Sequence, residues 1–396
     1  MSSTRASSYC AACGFAQANH FSLWMDSASD VISLRIPMYR VPFYRFFLAI
    51  AEGITWALGW IFLTIGRLIG AARFSSDSSG TISDRSRLLW ESAIRRNIHL
   101  EQLMVFGKPT DIFRVKHSGR TQYFTSLPLS PKPDALRMDD KVLFKEMMRK
   151  AGLPVPRSVS ASKLSVAKQG LKEFGTVCVK PRTGSNGRHT YPFVHTPEQL
   201  KAAFASVKVI SPTASVEEHI EGNLCRATCV GGKLIGFLES QYPSIVGDGT
   251  STVRELIEQK NAAKAEGVEE VPFDYSFIGY IQRRGYELDD ILPAGESLQL
   301  SYRGGAGSGG SNREHGRDGI HPSFIEPIER AATLTGLHIV GFDIIIPDPQ
   351  QSADSQKWGF IEANSLPWID LHQHPYSGPS IDLSESVWDL WLERQA

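Results

Sequence analysis

Two apolar runs carry acidic and amide groups that a plain core strand would not. One is Trp358-Gly-Phe-Ile-Glu-Ala-Asn-Ser-Leu-Pro-Trp368 and the other is Gly341-Phe-Asp-Ile-Ile-Ile346. Glu362 and Asn364 are two apart, which on a strand puts both side chains on one face. If that strand pairs with the one carrying Asp343, two carboxylates and an amide carbonyl converge. Hard oxygen donors of this kind suit Mg²⁺ held between protein and phosphates. A solvent-facing strand edge is the other reading of the same residues. Val179-Lys-Pro-Arg-Thr-Gly-Ser-Asn-Gly187 sets Lys180 at the end of an apolar strand, ahead of a Gly/Ser loop. Such a loop can close over phosphates with its backbone N–H groups and the Ser185 hydroxyl, while the lysine adds a point charge. It is not a Walker A loop, because the lysine precedes the glycines; a surface hairpin with a solvated lysine is the alternative. Ser215-Val-Glu-Glu-His-Ile220 alternates as a strand does. Its backbone can bond an adenine edge while Glu217 accepts from the adenine amino group, although a half-buried edge strand fits the pattern as well. Lys141 opens a helix on the side opposite its apolar stripe, where an ordinary surface lysine would also sit.

The period of the chain supplies elements to hold these residues. Leu143, Phe144, Met147, Met148 and Ala151 repeat at helical spacing, so Lys141–Ala151 is predicted helical, ending at Gly152 with Pro154 and Pro156 beyond. A strand is predicted over 176–180, a helix over 198–207, and strands near 214–220, 224–230 and 233–240. Thr252-Val-Arg-Glu255 reads as a capping box opening a helix through about Ala263. Residues 265–320 read as loop-rich, with a Gly-dense tract at 304–310, and a helix near 322–335 ends at Gly336. Upstream, 87–95 reads as a helix and 99–127 as short strands. Helix and strand alternate throughout, which indicates an α/β or α+β architecture.

With 396 residues the chain exceeds one ordinary core, so more than one domain is expected. The expected division is a poorly ordered N-terminus (1–42), a hydrophobic helical segment (43–73), a small α/β N-terminal domain (85–137) and a larger domain (138–396). At 42% hydrophobic and 21% charged residues the sequence is neither disordered nor fibrous. Lys+Arg and Asp+Glu are equal at 42 each, which gives no argument for a nucleic-acid partner. Five cysteines argue against a disulfide framework. Cys10 and Cys13 form C-x-x-C, but no second pair follows at zinc-like spacing; an incidental pair in a loose terminus is the favoured reading, and a metal or redox role is the alternative. Cys178, Cys225 and Cys229 read as small core residues. Phe46–Gly66 is apolar with Glu52 as its only charge, and its length suits a bilayer. Trp56 and Trp60 sit near its middle rather than at its ends, and Glu52 would be costly in lipid. Three readings stay open: a span, a helix lying in the membrane surface, or a helix buried in an oligomer or domain interface. The first residues do not read as a secretory signal, and a cytoplasmic location is expected, with or without membrane association.

Taken as a set, Lys141, Lys180 with its loop, Glu217, Asp343, Glu362 and Asn364 occur in the order found in ATP-grasp ligases. The spacing from Asp140-Lys141 to Ala151-Gly-Leu-Pro154 resembles that of D-alanine–D-alanine ligases and cyanophycin synthetases. Ile245-Val-Gly-Asp-Gly-Thr-Ser-Thr-Val-Arg-Glu-Leu256 resembles a signature of the cyanophycin-synthetase branch. Ser308-Gly-Gly310 with His321-Pro322, and Leu371-His-Gln-His-Pro-Tyr-Ser-Gly378, resemble two further stretches of it. The resemblance implies an α+β, ATP-grasp fold, with two α+β subdomains near 138–220 and 221–396 clasping ATP. It implies that Lys141, Lys180 and Ser185 meet the phosphates, and that Glu217, Glu218 and Ile220 hold the adenine. Asp343, Glu362 and Asn364 would hold Mg²⁺ (or Mn²⁺), and Lys180 and Arg303 would act in catalysis, Arg303 lying near the reacting carboxylate. His372 falls on a family motif, and a substrate-side role and a structural one are both open for it. Leu224 stands where relatives carry an acid for the ribose hydroxyls. The implied activity is ATP-dependent joining of a carboxylate to an amine, on an amino acid or peptide, through an acyl phosphate. A second half like that of full cyanophycin synthetases is not seen, so a single-step ligase is expected. A non-catalytic ATP-binding module and a small-molecule kinase are the alternatives.

Overall fold

The computed structural model of the chain describes residues 10–13, 19–35, 59, 61, 63–81, 83–129, 138, 140–184 and 187–395. Ser185 and most of the apolar stretch 46–66 lie outside the described residues. Among the described residues, no helix is long and apolar enough to cross a membrane.

An antiparallel sheet comes first, with β1 (Ala72–Ser75), β2 (His99–Val105), β3 (Lys108–His117) and β4 (Arg120–Thr125) side by side in sequence order. Helix Asp84–Arg95 covers it. Ser83 caps that helix by accepting from the Ser86 N–H, and its buried face holds the predicted Leu88, Leu89, Ser92 and Ala93 together with Trp90.

The second sheet is built from β5 (Ser158–Ala161), β6 (Val177–Pro181), β7 (Tyr191–Val194) and β8 (Ala214–Glu218), in the order β5-β8-β6-β7. Its two faces follow from strand alternation. Val177, Val179 and Val216 turn toward helices Leu164–Phe174 and Pro197–Lys208, where Ala167, Leu200 and Val207 complete a core. Cys178, Lys180, Ser215 and Glu217 occupy the intervening positions and face the other way; Cys178 pairs with Glu217, and Lys180 with Ser215.

The third sheet begins with β9 (Asn223–Val230) and β10 (Lys233–Gln241). A small pair intervenes, β11 (Ser244–Val246) with β12 (Ser297–Gln299). Then β13 (Ser311–Glu314), β14 (Ile339–Ile346) and β15 (Gly359–Asn364) complete the order β13-β10-β9-β14-β15, all antiparallel. One face packs on helix Ile325–Thr335 through Ile328, Ala331 and Ala332. Phe144 of helix Lys141–Lys150 enters the same core, 6.0 Å from the Phe342 ring and 6.4 Å from Phe360.

The helices predicted at 87–95, 141–151, 198–207, 252–263 and 322–335 occur as Asp84–Arg95, Lys141–Lys150, Pro197–Lys208, Val253–Ala262 and Ile325–Thr335. Two readings are corrected. Residues 20–35, read as part of a poorly ordered terminus, form a helix (His20–Arg35). The loop-rich stretch 265–320 contains helix Tyr275–Arg283, capped by Asp274, whose Phe277 and Ile281 join Ile257 and Leu298 in a small separate core.

Candidate active site

A row of charged residues runs across three strands, two of them carrying an acidic residue and one an arginine. On β14, Asp343 pairs with Glu362 of β15 on one side and Arg226 of β9 on the other, while Gly341 pairs with Asn364. Side chains directly opposite across neighbouring strands are in reach of one another. Arg226 Nε lies 2.8 Å from Asp343 Oδ1, and Asn364 Nδ2 donates to the Gly341 carbonyl at 3.4 Å. A bulge between Asp343 and Ile344 makes this row usable. In a regular strand Phe360 and Glu362 would share a face. The shift opposes Ile344 to Phe360 and Asp343 to Glu362, so Phe360 stays in the core while Glu362 turns to the site. Burial pushes the Asp343 carboxyl well up, to about 7, with Arg226 opposing the shift and Glu362 adding to it. Burial acts against the Glu362 charge too, but Lys141 and Lys180 outweigh it and hold that carboxyl down, at about 2.

Cations face this row. Asp140 caps helix Lys141–Lys150 by accepting from the N–H groups of Val142 and Leu143, and its second oxygen takes Arg182 Nε at 3.0 Å. The cap fixes the first turn, and with it Lys141. That ammonium lies 2.9 Å from Glu362 Oε2 and donates to the Gly184 carbonyl at 2.6 Å. One turn on, Lys145 is 1% exposed and donates to Glu217 Oε1 at 2.5 Å. Lys180 reaches Glu217 Oε2 at 3.0 Å, and the Ser215 hydroxyl donates to Oε1 at 2.8 Å. Glu217, expected at an adenine amino group, therefore has both oxygens engaged by buried partners. Burial opposes its charge, yet the two lysines hold it down at about 2. The lysines separate: burial pushes Lys145 down to about 8, whereas at Lys180 the pull of Glu217 overcomes burial and raises it.

A cavity opens beside Lys180 and Glu217. It is lined by the stretch from Glu217 to Gly222, by Leu224, Ile345 and Ile361, and by the aromatic rings of Tyr242, Tyr280 and Tyr302. No family model matches the chain. It is 30% identical over 261 residues to a cyanophycin synthetase of Synechocystis sp., covering 63% of this chain and 30% of that protein. It is 25% identical over 318 residues to the glutathione biosynthesis bifunctional protein GshAB of Clostridium perfringens, covering 77% of this chain and 40% of that one. The chain thus spans less than half the length of these curated relatives. Among solved structures, a bifunctional glutathione synthetase from Pasteurella multocida aligns with a TM-score of 0.50 at 25% identity, over 78% of this chain and 44% of that one. The chain has the ATP-grasp fold.

In this ATP-grasp fold, Lys145 and Arg226 belong to the charged cluster although sequence reasoning passed over both. Lys145 was findable: it lies four residues after Lys141, on the same helical face. Arg226 was not, because only strand pairing sets it against Asp343. Leu224, where the resemblance implies an acidic residue, lines the cavity and puts an apolar side chain there. Glu218 is tied down by Arg157 and Lys357, at 2.9 and 2.6 Å. Arg303 has Nε and Nη2 buried with no hydrogen-bond partner among the described residues. His372 is fully buried between Glu314 Oε2 at 2.6 Å and Thr228 Oγ1 at 2.8 Å, so of its two open roles the structural one fits its surroundings. None of the signature residues Ile245–Leu256 lines the cavity. They build a joint: Asp248 accepts from the N–H groups of Thr250 and Ser251 and from both hydroxyls, and Thr252 and Glu255 cap the next helix reciprocally. A Cβ at Gly247 would lie 2.1 Å from the Pro293 carbonyl oxygen, so only glycine closes this joint.

Proposed function

We propose that this protein is an ATP- and Mg²⁺-dependent ligase that joins a carboxylate to an amine through an acyl phosphate and releases ADP and phosphate. The observation that carries the reading is the meeting of Lys141 and Lys180 with Glu362 and Asp343 beside a largely apolar cavity. The purine takes the cavity, among Leu224, Ile345 and Tyr242. The Glu218 and His219 amides already donate to the carbonyls of Arg157 and Thr176, so the Ile220 amide, next along, is the proposed donor to the base. Glu217 acts through the lysines, keeping Lys180 charged and fixed in reach of a phosphate. Lys141 and the 182–187 loop, with Ser185, close over the phosphates. Asp343, Glu362 and Asn364 would hold Mg²⁺, or Mn²⁺ in its place. The donor set is hard oxygen, and Asp343 Oδ1 is buried without a hydrogen bond of acceptable geometry although Arg226 Nε is near. When bound, the divalent cation neutralises charge on the transferring phosphoryl group.

The Arg303 guanidinium, whose Nε and Nη2 are buried without hydrogen-bond partners among the described residues, is the proposed anchor of the substrate carboxylate. The loop excludes water, which would otherwise hydrolyse the acyl phosphate before an amine attacks. Relatives named for cyanophycin and glutathione synthesis support an amino acid or peptide as the acid. The test is a screen of amino acids and peptides with ATP, read by ADP release and by mass spectrometry of products. ADP appears only when acid and amine are both present, together with an amide. Lys180→Ala and Glu362→Gln each lower turnover by about 10²-fold or more. A stable phosphorylated product made without amine, or full turnover in both variants, overturns the reading.

A further inference from the structure

The C-x-x-C pair near the start of the chain is not isolated in space. Cys10, Cys13, His20 and His189 each turn one ligand atom inward, and these four atoms all lie within 4.8 Å of one another. His189 Nε2 is 3.6 Å from Cys10 Sγ and 3.4 Å from Cys13 Sγ, and Cys13 Sγ is 3.2 Å from His20 Nε2. Ligands about 2.3 Å (sulfur) and about 2.0 Å (nitrogen) from one tetrahedral centre stand roughly 3.5 Å apart. Ordinary hydrogen bonding accounts for this poorly. Cys13 has a single S–H and meets two imidazole nitrogens, while one nitrogen of His189 meets two sulfurs.

The surroundings prepare the histidine for a metal. His189 Nδ1 lies 2.8 Å from the Ser206 carbonyl oxygen and 2.9 Å from its hydroxyl. Donation of the Nδ1 proton there leaves the Nε2 lone pair facing the sulfurs, the arrangement that second-shell partners impose on metal-bound histidine. The His189 N–H also donates to the Ala12 carbonyl at 2.7 Å, inside the C-x-x-C turn. Cys13 is 4% exposed and His189 2% exposed, while Cys10 and His20 are half-buried at the rim of the site. Two thiolates with two imidazoles in a tetrahedron select Zn²⁺ over hard-oxygen cations.

We propose that Cys10, Cys13, His20 and His189 form a structural Zn²⁺ site that clamps the N-terminal segment onto the loop after β6. The two thiols bind as thiolates and their protons pass to solvent. The clamp has a second attachment, since Ser27 of helix His20–Arg35 bonds Thr183 at 3.0 Å and Ser211 at 2.7 Å. Loop 182–189 is thereby held at both ends against the N-terminal segment. Sequence reading missed the site because its fourth ligand lies 179 positions beyond Cys10, and only the fold brings it back.

The test uses the full chain, expressed with zinc and purified under reducing conditions without a metal-binding tag or chelator. Elemental analysis finds about one zinc per chain in the native protein. Cobalt substitution gives intense visible bands of a tetrahedral site and a near-ultraviolet sulfur-to-cobalt band. Cys13→Ser and His189→Ala lose at least nine-tenths of the zinc, whereas His189→Cys, which keeps four ligands, retains it. Should the first two variants fail to fold, the native cobalt spectrum decides by itself. A native protein without zinc, a weak oxygen-only cobalt spectrum, a mass two hydrogens short from a Cys10–Cys13 disulfide, or equal zinc in all variants overturns the proposal.

Discussion

Glu217 holds two ammonium groups with one carboxylate, and all three groups are buried. Removing the shared anion is therefore different from removing one cation. Glu217→Gln leaves Lys145 and Lys180 facing each other without the carboxylate they share, and a lost buried partner costs about 3–5 kcal/mol. Lys145→Met leaves a balanced Glu217–Lys180 pair and replaces an ammonium that burial already disfavours, so its cost is expected below about 1 kcal/mol. Urea unfolding of the two variants at neutral pH measures the difference; equal losses would refute the account of the triad. The same cluster marks how far single residues are legible in sequence. Asp343, Glu362, Asn364 and Lys180 are singled out by residue type, because oxygen donors and a lysine in apolar runs stand out chemically, whereas Lys141 is singled out only by its order among them. Lys145 is signalled only by its place one turn after Lys141, and Arg226 looks like an ordinary strand cation until register sets it against Asp343. The Phe360–Glu362 bulge leaves no trace in the alternation of the sequence.

At the scale of elements, helix Leu383–Glu393 is docked on helix Asp84–Arg95 by a fan of charges. Glu385 accepts from Arg95 Nη2 and from Arg96 Nε, each at 2.6 Å, and from the Ser92 hydroxyl at 2.8 Å. Burial opposes the Glu385 charge, but these donors prevail and hold its carboxyl at about 2. An unfolded glutamate titrates at about 4.3. The folded value is the lower one, so the stabilisation is complete above about 4.3 and is lost as pH falls toward 2. In thermal melts from pH 6 to pH 2, Glu385→Gln is expected to melt below the native protein above pH 5 and to converge with it near pH 2. A gap that stays constant to pH 2 would show that the charge on Glu385 does not drive the docking. Helices with a clear stripe and a capping signal, such as Val253–Ala262 with Thr252 and Glu255, are readable in sequence. Helix Tyr275–Arg283 escapes because it is short and set among polar loops, and its burial comes from a distant core. Of the second sheet, β6 and β8 are readable, and their alternation already separates Val177 and Val179 from Lys180, whereas β5 and β7, four residues each, are too short to show a period.

For the whole molecule, the decisive feature is a core that joins chain ends to the strands of the site. Trp90, Phe113 and Phe124 of the N-terminal unit pack with Val387, Trp388 and Trp391 of the last helix. The same cluster takes in Val230 of β9 and Ile339 of β14, the strands that carry Arg226 and Asp343. Trp388 donates from Nε1 to the Leu89 carbonyl at 3.0 Å, and Trp391 Nε1 to Gln122 at the same distance. Arg85 adds a link, donating to the Leu366 carbonyl at 3.2 Å with its guanidinium 5.1 Å over the Trp368 ring, just beyond β15. With its core shared in this way, the N-terminal sheet is expected to unfold together with the third sheet. Truncating a fully buried tryptophan costs about 3–5 kcal/mol, so Trp388→Ala destabilises by that amount. The coupling predicts more than the loss: near-ultraviolet circular dichroism, far-ultraviolet circular dichroism and loss of bound fluorescent nucleotide follow one transition in the native protein. In Trp388→Ala all three shift together to lower denaturant. A variant in which nucleotide binding keeps its native midpoint while the aromatic signal is lost earlier would separate the two units and refute the shared core as the source of cooperativity.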